Sequence, residues 1–134
     1  KDLLFSVEER LEMMRVTFKA HPRISIDSYD TLTVDYARAK GAKAIVRGLR
    51  VVSDFELEFK MALMNRNLAP DVDFVCFITN IEYSYLSSSL LKEVAMLGGS
   101  MKGLVPPHVE EAVRRKLGQS EMRQQVKMIS LAND

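Results

Sequence analysis

The sequence predicts an α/β domain: a parallel sheet with helices on its faces. Three observations predict it. Short apolar runs of strand length occur at Ile24-Ser25-Ile26, Ala44-Ile45-Val46 and Phe74-Val75-Cys76-Phe77-Ile78, and they alternate with stretches of helical periodicity. The last two runs are nearly continuous apolar, as strands buried on both faces are. The 134 residues suffice for one compact domain and not for two. Three strands make a thin sheet for this class.

The elements follow in order. Ser6-Val7-Glu8-Glu9 is a capping box, with Leu11, Met14, Val16 and Phe18 as the apolar face of the helix behind it. After the first strand, 31–40 reads as a short helix closed by Gly41 in the C′ position. After the second, Ser53-Asp54-Phe55-Glu56 reads as a further capping box. It opens a helix to about Leu68 with Phe55, Phe59, Ala62 and Leu63 on one face, and Pro70 follows its end. After the third, Ser88 or Ser89 can cap a helix through Leu97, stopped by Gly98-Gly99. Pro107 suits the first turn of a helix to about Leu117. Residues 120–131 form a possible last helix, with Met122, Val126 and Ile129 in register.

Composition narrows the function classes. Nineteen Lys+Arg against eighteen Asp+Glu leave a net charge of +1, so no basic field argues for nucleic acid. One cysteine, Cys76, excludes an internal disulfide framework, and its apolar setting reads as core. His21 and His108 have no metal-ligand spacing, and no cage of acidic residues is visible; no protein metal site is expected. No apolar run approaches the roughly 18 residues of a membrane span. No secretory leader opens the chain, and a cytoplasmic protein is expected. Eight methionines, with Met13, Met14, Met61 and Met64 at helical spacing, suit core or subunit contacts.

In open α/β sheets, ligands bind beyond the carboxyl ends of the strands. That rule selects residues 27–33, Arg47-Gly48-Leu49-Arg50, and Thr79-Asn80 with the stretch from Tyr83 to Ser89. Two guanidiniums flanking a glycine after a buried strand suit an anion, since the arginine fork matches phosphate oxygens. The plainer reading is two surface arginines in a loop. Ser87-Ser88-Ser89 before a helix can cradle phosphate with hydroxyls and free amides, or simply cap the helix. Arginines and serines together suit a polyphosphate. Glu58 and Glu93, about a turn inside the following helices, read by position as solvated faces, and Asp54 as a first-turn residue favourable to the helix dipole. Gly98-Gly99-Ser100-Met101-Lys102-Gly103 departs from the P-loop pattern and follows a helix, so it reads as a helix stop. His21, before the first strand and at the wrong end for chemistry, reads as a surface residue, and His108, after Pro106-Pro107 at a helix start, as structural.

Longer stretches carry a resemblance. Arg47-Gly48-Leu49-Arg50-Val51-Val52-Ser53-Asp54-Phe55-Glu56, running on to Met64-Asn65-Arg66, resembles the signature of the bacterial phosphopantetheine adenylyltransferase family. The stretch from Tyr83 through Ser89 to Ala95 is similar to that family's second nucleotide motif. Leu4 to Arg10 and Val105-Pro106-Pro107 match as well. The resemblance covers about residues 1–117, read as the nucleotidylyltransferase domain, and leaves 118–134 as a helical tail. It implies the dinucleotide-binding-type (Rossmann-like) fold of the nucleotidylyltransferase superfamily. It also implies transfer of AMP from ATP to 4′-phosphopantetheine, giving dephospho-coenzyme A and pyrophosphate in coenzyme A synthesis. A cytoplasmic homohexamer using magnesium is implied, with coenzyme A as a further ligand.

By this resemblance, Arg47 holds phosphopantetheine, Lys1 stands at the reacting phosphates, and Thr33 contacts the pantetheine. Gly48, Leu49 and Arg50 bind ATP, with Arg50 on phosphate, and Glu58 is an ATP contact. Tyr83, Ser84, Tyr85, Leu86, Ser87, Ser88 and Ser89 surround adenine and triphosphate, with Ser88 and Ser89 at the β and γ phosphates. Met64, Asn65 and Glu93 line the pantetheine arm. Lys1, Arg47 and Arg50 are the catalytic set. Family members begin with a strand and a T/SFDPxxxGH turn, whose histidine stabilises the transition state. That segment is not in the sequence, so the 134 residues are expected to be about three quarters of a domain. The alternative reading is a non-catalytic module binding nucleotide or coenzyme A.

Overall fold

The computed structural model describes residues 3–118. They fall into two compact units: residues up to Ser28 together with those from Leu86 onward, and Tyr29–Tyr85 between them. The possible helix at 120–131 lies outside the described residues.

The central unit is built on one parallel pair of strands. β1 (Ala44–Leu49) and β2 (Asp73–Ile78) run in register from Ala44 opposite Asp73 to Leu49 opposite Ile78. α2 (Thr33–Ala39) precedes β1, and α3 (Val52–Leu68) makes the crossover between the strands, as parallel pairing requires. A 3-10 turn at Ile81–Tyr83 follows β2. Both helices pack on β1, and α3 also touches β2. The core is small: Val34 and Ala37 of α2 meet Ala69 and Val72, with Ala42 and Ile45 against them. Arg38 of α2 clamps the far end of α3. It donates to both oxygens of Asp71 and, from Nη1, to the Leu68 carbonyl at 3.3 Å.

The end of α2 follows the sequence closely. Gly41 has φ +66°, its N–H donates to the Arg38 carbonyl at 2.9 Å, and the Ala42 N–H donates to the Ala37 carbonyl at 2.9 Å. These two bonds close the helix in a Schellman motif, which demands a left-handed residue that glycine supplies without strain. The helix starts at Thr33, two residues later than the sequence suggests.

Several expectations need correction. Residues 24–26 form no strand; Ile24 is 46% exposed and the sheet among the described residues has two strands. An extended apolar tripeptide becomes a strand only when a neighbour takes up its backbone groups. The strands are not buried on both faces. Val46, Val75 and Phe77 share one face of the sheet by alternation, and all three are exposed. Cys76, read as core, is exposed as well, on the opposite face beside Arg47. The row Phe55, Phe59 and Leu63 of α3 is exposed as well, although the two phenyl rings stack at 5.9 Å. Ser53 does not cap α3. The helix begins two residues earlier, at Val52 with Val51 in the N-cap position, and Asp54 reaches back instead to accept the Arg50 N–H at 3.2 Å.

The flanking unit is helical. α1 (Val7–Phe18) opens with both bonds of the expected capping box: the Glu9 N–H donates to Ser6 Oγ, and the Ser6 N–H donates to Glu9 Oε2. α4 (Ser88–Met96) is capped by Ser87, whose Oγ accepts the Leu90 N–H at 3.1 Å; neither Ser88 nor Ser89 is the cap. α5, over 107–118, starts at Pro107. Ala95, Met101 and Val113 form the core of this unit, with Leu4, Phe5, Leu91, Val105, Val109 and Leu117 against them. The segment 98–103 is a helix stop and loop, with positive φ at Gly98 and Gly103. His108 is structural: its Nε2 lies 3.1 Å from the Met13 carbonyl and 3.2 Å from Thr17 Oγ1. His21 is on the surface against Phe18. The methionines of the helical pattern are not core; Met14, Met61 and Met64 are each more than two-fifths exposed.

Met101, fully buried, is the largest side chain in the described cores. Met101→Ala should cost about 2–5 kcal/mol of stability, read as a lower urea midpoint with unchanged slope; a change below about 0.5 kcal/mol would mean that Met101 carries no core packing.

Candidate active site

The parallel register delivers two chain segments to one edge of the central sheet. β1 ends at Leu49 beside Ile78 of β2, and the Thr79 N–H continues the ladder to the Leu49 carbonyl at 2.9 Å. The loop carrying Arg50 and the segment leading to Tyr83 therefore leave from the same carboxyl edge, where α/β sheets place their ligands.

Arg47 lies in β1 on the side of the sheet that carries Ile45 and Leu49. Its guanidinium grips Glu58 of α3 as a fork: Nε donates to Oε2 at 2.9 Å and Nη2 to Oε1 at 2.5 Å. The partners differ in exposure. The Arg47 side chain is 53% exposed and that of Glu58 10%. Glu58 is the one charged residue buried among the described residues, and the one buried residue of α3. The hydrogen bonds from Arg47 hold the Glu58 carboxyl below its ordinary range, against the opposing effect of burial. The same bonds raise Arg47, with small contributions from nearby Tyr29 and Cys76. The remaining N–H groups of the guanidinium can take an incoming anion.

Arg50 pairs with Asp54, one turn before Glu58 on the same helix. Its Nε donates to Asp54 Oδ2 at 3.0 Å, and its backbone N–H donates to the same oxygen. The Arg50 bonds lower the Asp54 carboxyl. Both side chains are more open to water than Glu58, at 40% and 23% exposure. Between the arginines, Gly48 has nothing within 4 Å of where a Cβ would stand.

The other expected residues are distributed as follows. Thr33 opens α2, and its hydroxyl lies 3.0 Å from the Tyr29 hydroxyl, whose ring stacks on Tyr36. Asn65 is two turns beyond Glu58 and shares its face of α3, whereas Met64 is turned away and exposed. Tyr83 and Tyr85 present exposed rings after β2, and Ser84 Oγ donates to the Ile81 carbonyl to close the 3-10 turn. In the flanking unit, Leu86 and Ser87 precede α4, and Ser88 and Ser89 occupy its first turn, where backbone amides lack intrahelical partners. Ser89 and Glu93, one turn apart, line a cavity of about 640 Å³ with Leu3, Lys92, Met96 and Lys116. Lys1 lies outside the described residues.

Sequence reasoning missed both carboxylate partners. The Arg50–Asp54 spacing of four was the available signal for one. Nothing in the spacing announced Arg47–Glu58, which depends on how α3 folds back over β1. No group of three or more His, Cys, Asp or Glu among the described residues is placed to hold a metal ion. No described helix is long and apolar enough to cross a membrane.

Comparison with known proteins decides the family. A family model described as cytidylyltransferase-like matches residues 1–94. The phosphopantetheine adenylyltransferase of Carboxydothermus hydrogenoformans is 55% identical over 116 residues, 87% of this chain and 72% of that protein. That of Thermomicrobium roseum is 56% identical over 116 residues, 87% and 70% of the two chains. The chain belongs to the phosphopantetheine adenylyltransferase family. That of Desulforudis audaxviator is 51% identical over 118 residues. The aligned length spans the strand-end arginines, their carboxylate partners and the serine turn of this phosphopantetheine adenylyltransferase family member, so the sequence resemblance and the comparisons agree.

Because Arg47 lowers the Glu58 carboxyl in the folded protein, the pair stabilises the fold fully above the ordinary glutamate range and loses that contribution as pH falls through the lowered value. Melting temperature followed from about pH 6 to about pH 3 should therefore fall less steeply for Glu58→Gln than for the unaltered protein; parallel curves would show that the pair adds nothing to acid stability.

Proposed function

We propose that this protein transfers the adenylyl group of ATP to 4′-phosphopantetheine, giving dephospho-coenzyme A and pyrophosphate. Family membership and the site chemistry support one reading. The observation that carries it is the pair of arginines at the carboxyl edge of β1, one forked onto a buried carboxylate and the other paired with a more open one. Two anionic substrates that must meet phosphate to phosphate need two such cations.

The reaction is an in-line attack by the phosphate of 4′-phosphopantetheine on the α-phosphorus of ATP. An oxygen–phosphorus bond forms, and the bond to the departing pyrophosphate breaks. The nucleophile is already an anion near neutral pH, so no side chain need remove a proton. Catalysis is then positioning and charge stabilisation. Arg47, with Thr33, Asn65 and Glu93 toward the pantetheine arm, holds the acceptor, and Lys1 aligns the reacting phosphates; Met64, turned to another face of α3, stands outside this set. Arg50, with Gly48 and Leu49, meets the triphosphate. The exposed rings of Tyr83 and Tyr85 suit stacking on adenine. Ser84, Leu86 and Ser87 shape that turn, and the amides of Ser88 and Ser89 at the start of α4 suit the terminal phosphates.

Magnesium would enter with ATP. The two carboxylates nearest the arginines are already engaged by guanidiniums, so its ligands would be phosphate oxygens and water. We place the protein in the cytoplasm, as a homohexamer that also binds coenzyme A. A non-catalytic binding module is not favoured by the family.

Calorimetric titration with ATP and with 4′-phosphopantetheine, paired with a pyrophosphate-release assay on the full-length protein, tests the reading. Binding of both with release supports it; binding without release restores the module. Arg50→Ala should lower kcat/KM for ATP by about 100-fold with the fold intact by circular dichroism. Unchanged kinetics would remove Arg50 from the site.

A further inference from the structure

α3 buries one side chain, and that one is charged; its larger apolar residues are turned outward. Phe55, Phe59 and Leu63 recur every four residues, so they stand in one row along the helix, and each is more than half exposed. The two phenyl rings stack with centroids 5.9 Å apart, which makes a firm ridge at the head of the row. Further along the helix the ridge gives way to a groove. Phe59, Leu63 and Arg66 of α3 form one wall and Asp73 and Phe74 of β2 the other, around a cavity of about 180 Å³. Among the described residues, β2 has a strand on one edge only. Apolar rows and unpaired strand edges are surfaces that folded proteins cover.

The rim indicates what covers this one. It carries one cation, Arg66, and one acid, Asp73, and neither has a salt-bridge partner among the described residues. A strongly acidic or basic partner would gain at one and lose at the other. An anionic membrane would call for a cluster of basic residues, and this groove has a single arginine. A second copy turned about a two-fold axis meets both requirements. Each ridge enters the groove of the other copy, and each Arg66 faces an Asp73 across the axis.

We infer that the groove between α3 and β2, with its phenylalanine ridge, is an isologous contact between two copies of this chain. The inference rests on the self-assembly proposed above and deepens it, by naming one contact face and its symmetry. Hexamers of dihedral symmetry contain such two-fold axes. The groove lies at the start of β2, the end remote from the carboxyl edge, so pairing leaves the strand-end arginines open.

Sedimentation velocity and light scattering on the full-length protein test this. Phe59→Glu puts a charge on the ridge and should lower the mass to half that of the unaltered assembly or less, with circular dichroism unchanged. Arg66→Asp and Asp73→Arg should each weaken association by about tenfold or more, because like charges then face each other. The double variant should restore it to within about threefold. Both reversals are at exposed positions, and they give the answer should Phe59→Glu misfold. A folded Phe59→Glu protein of unchanged mass, or a double variant as weak as the single ones, overturns the inference. A monomeric unaltered protein overturns the self-assembly itself, and this contact with it, whether or not it turns over substrate.

Discussion

The fork between Arg47 and Glu58 ties strand to helix at the point where the chain leaves the sheet. α3 lies against β1 and β2, and its only buried side chain is the charged one. Burying a carboxylate is unfavourable unless its hydrogen bonds are complete, so the helix is held in whatever orientation keeps the fork intact. A purely apolar contact would tolerate a small rotation of α3; a two-bond fork does not. The rest of the arrangement follows from that constraint. Once Glu58 is fixed, Asp54 is fixed one turn earlier, and so is the loop whose Arg50 it accepts.

The two pairs also reconcile two different periodicities. Arg47 and Arg50 are three residues apart on extended chain, about 10 Å at strand rise. Asp54 and Glu58 are four residues apart on a helix, about 6 Å. Each long arginine side chain spans the difference to reach its own acid. Each positive group is thereby balanced by its own acid, which limits their mutual repulsion. A site for two phosphates can be built this way and still fold before either ligand arrives.

Much of this was legible in the sequence, and the failures have physical causes. Gly41 announced the end of α2 because only a left-handed residue completes that turn. Ser6 and Glu9 announced the start of α1 because their reciprocal bonds are local. Local signals misled where a competitor stood nearby. Ser53 was in the right place for a cap, but Asp54 was already committed to Arg50, and the helix began at Val52. Nonlocal features were out of reach. An apolar run such as 24–26 shows capacity for a strand, and pairing decides the rest. The strand-end placement of Arg47 and Arg50 was legible because it follows from topology alone. The burial of Glu58 was not, because position on a helix cannot distinguish a solvated glutamate from one paired with a neighbouring strand.

Cys76 acquires a use from its surroundings. It is the sole cysteine of the chain, it is exposed, and the register sets it directly beside Arg47 on the adjacent strand. Paired residues on neighbouring strands project from the same face. A thiol-directed fluorophore would therefore attach at a single position, next to the guanidinium expected to receive the acceptor phosphate. The protein carries its own attachment point for an optical reporter of substrate arrival, with no engineered cysteine required.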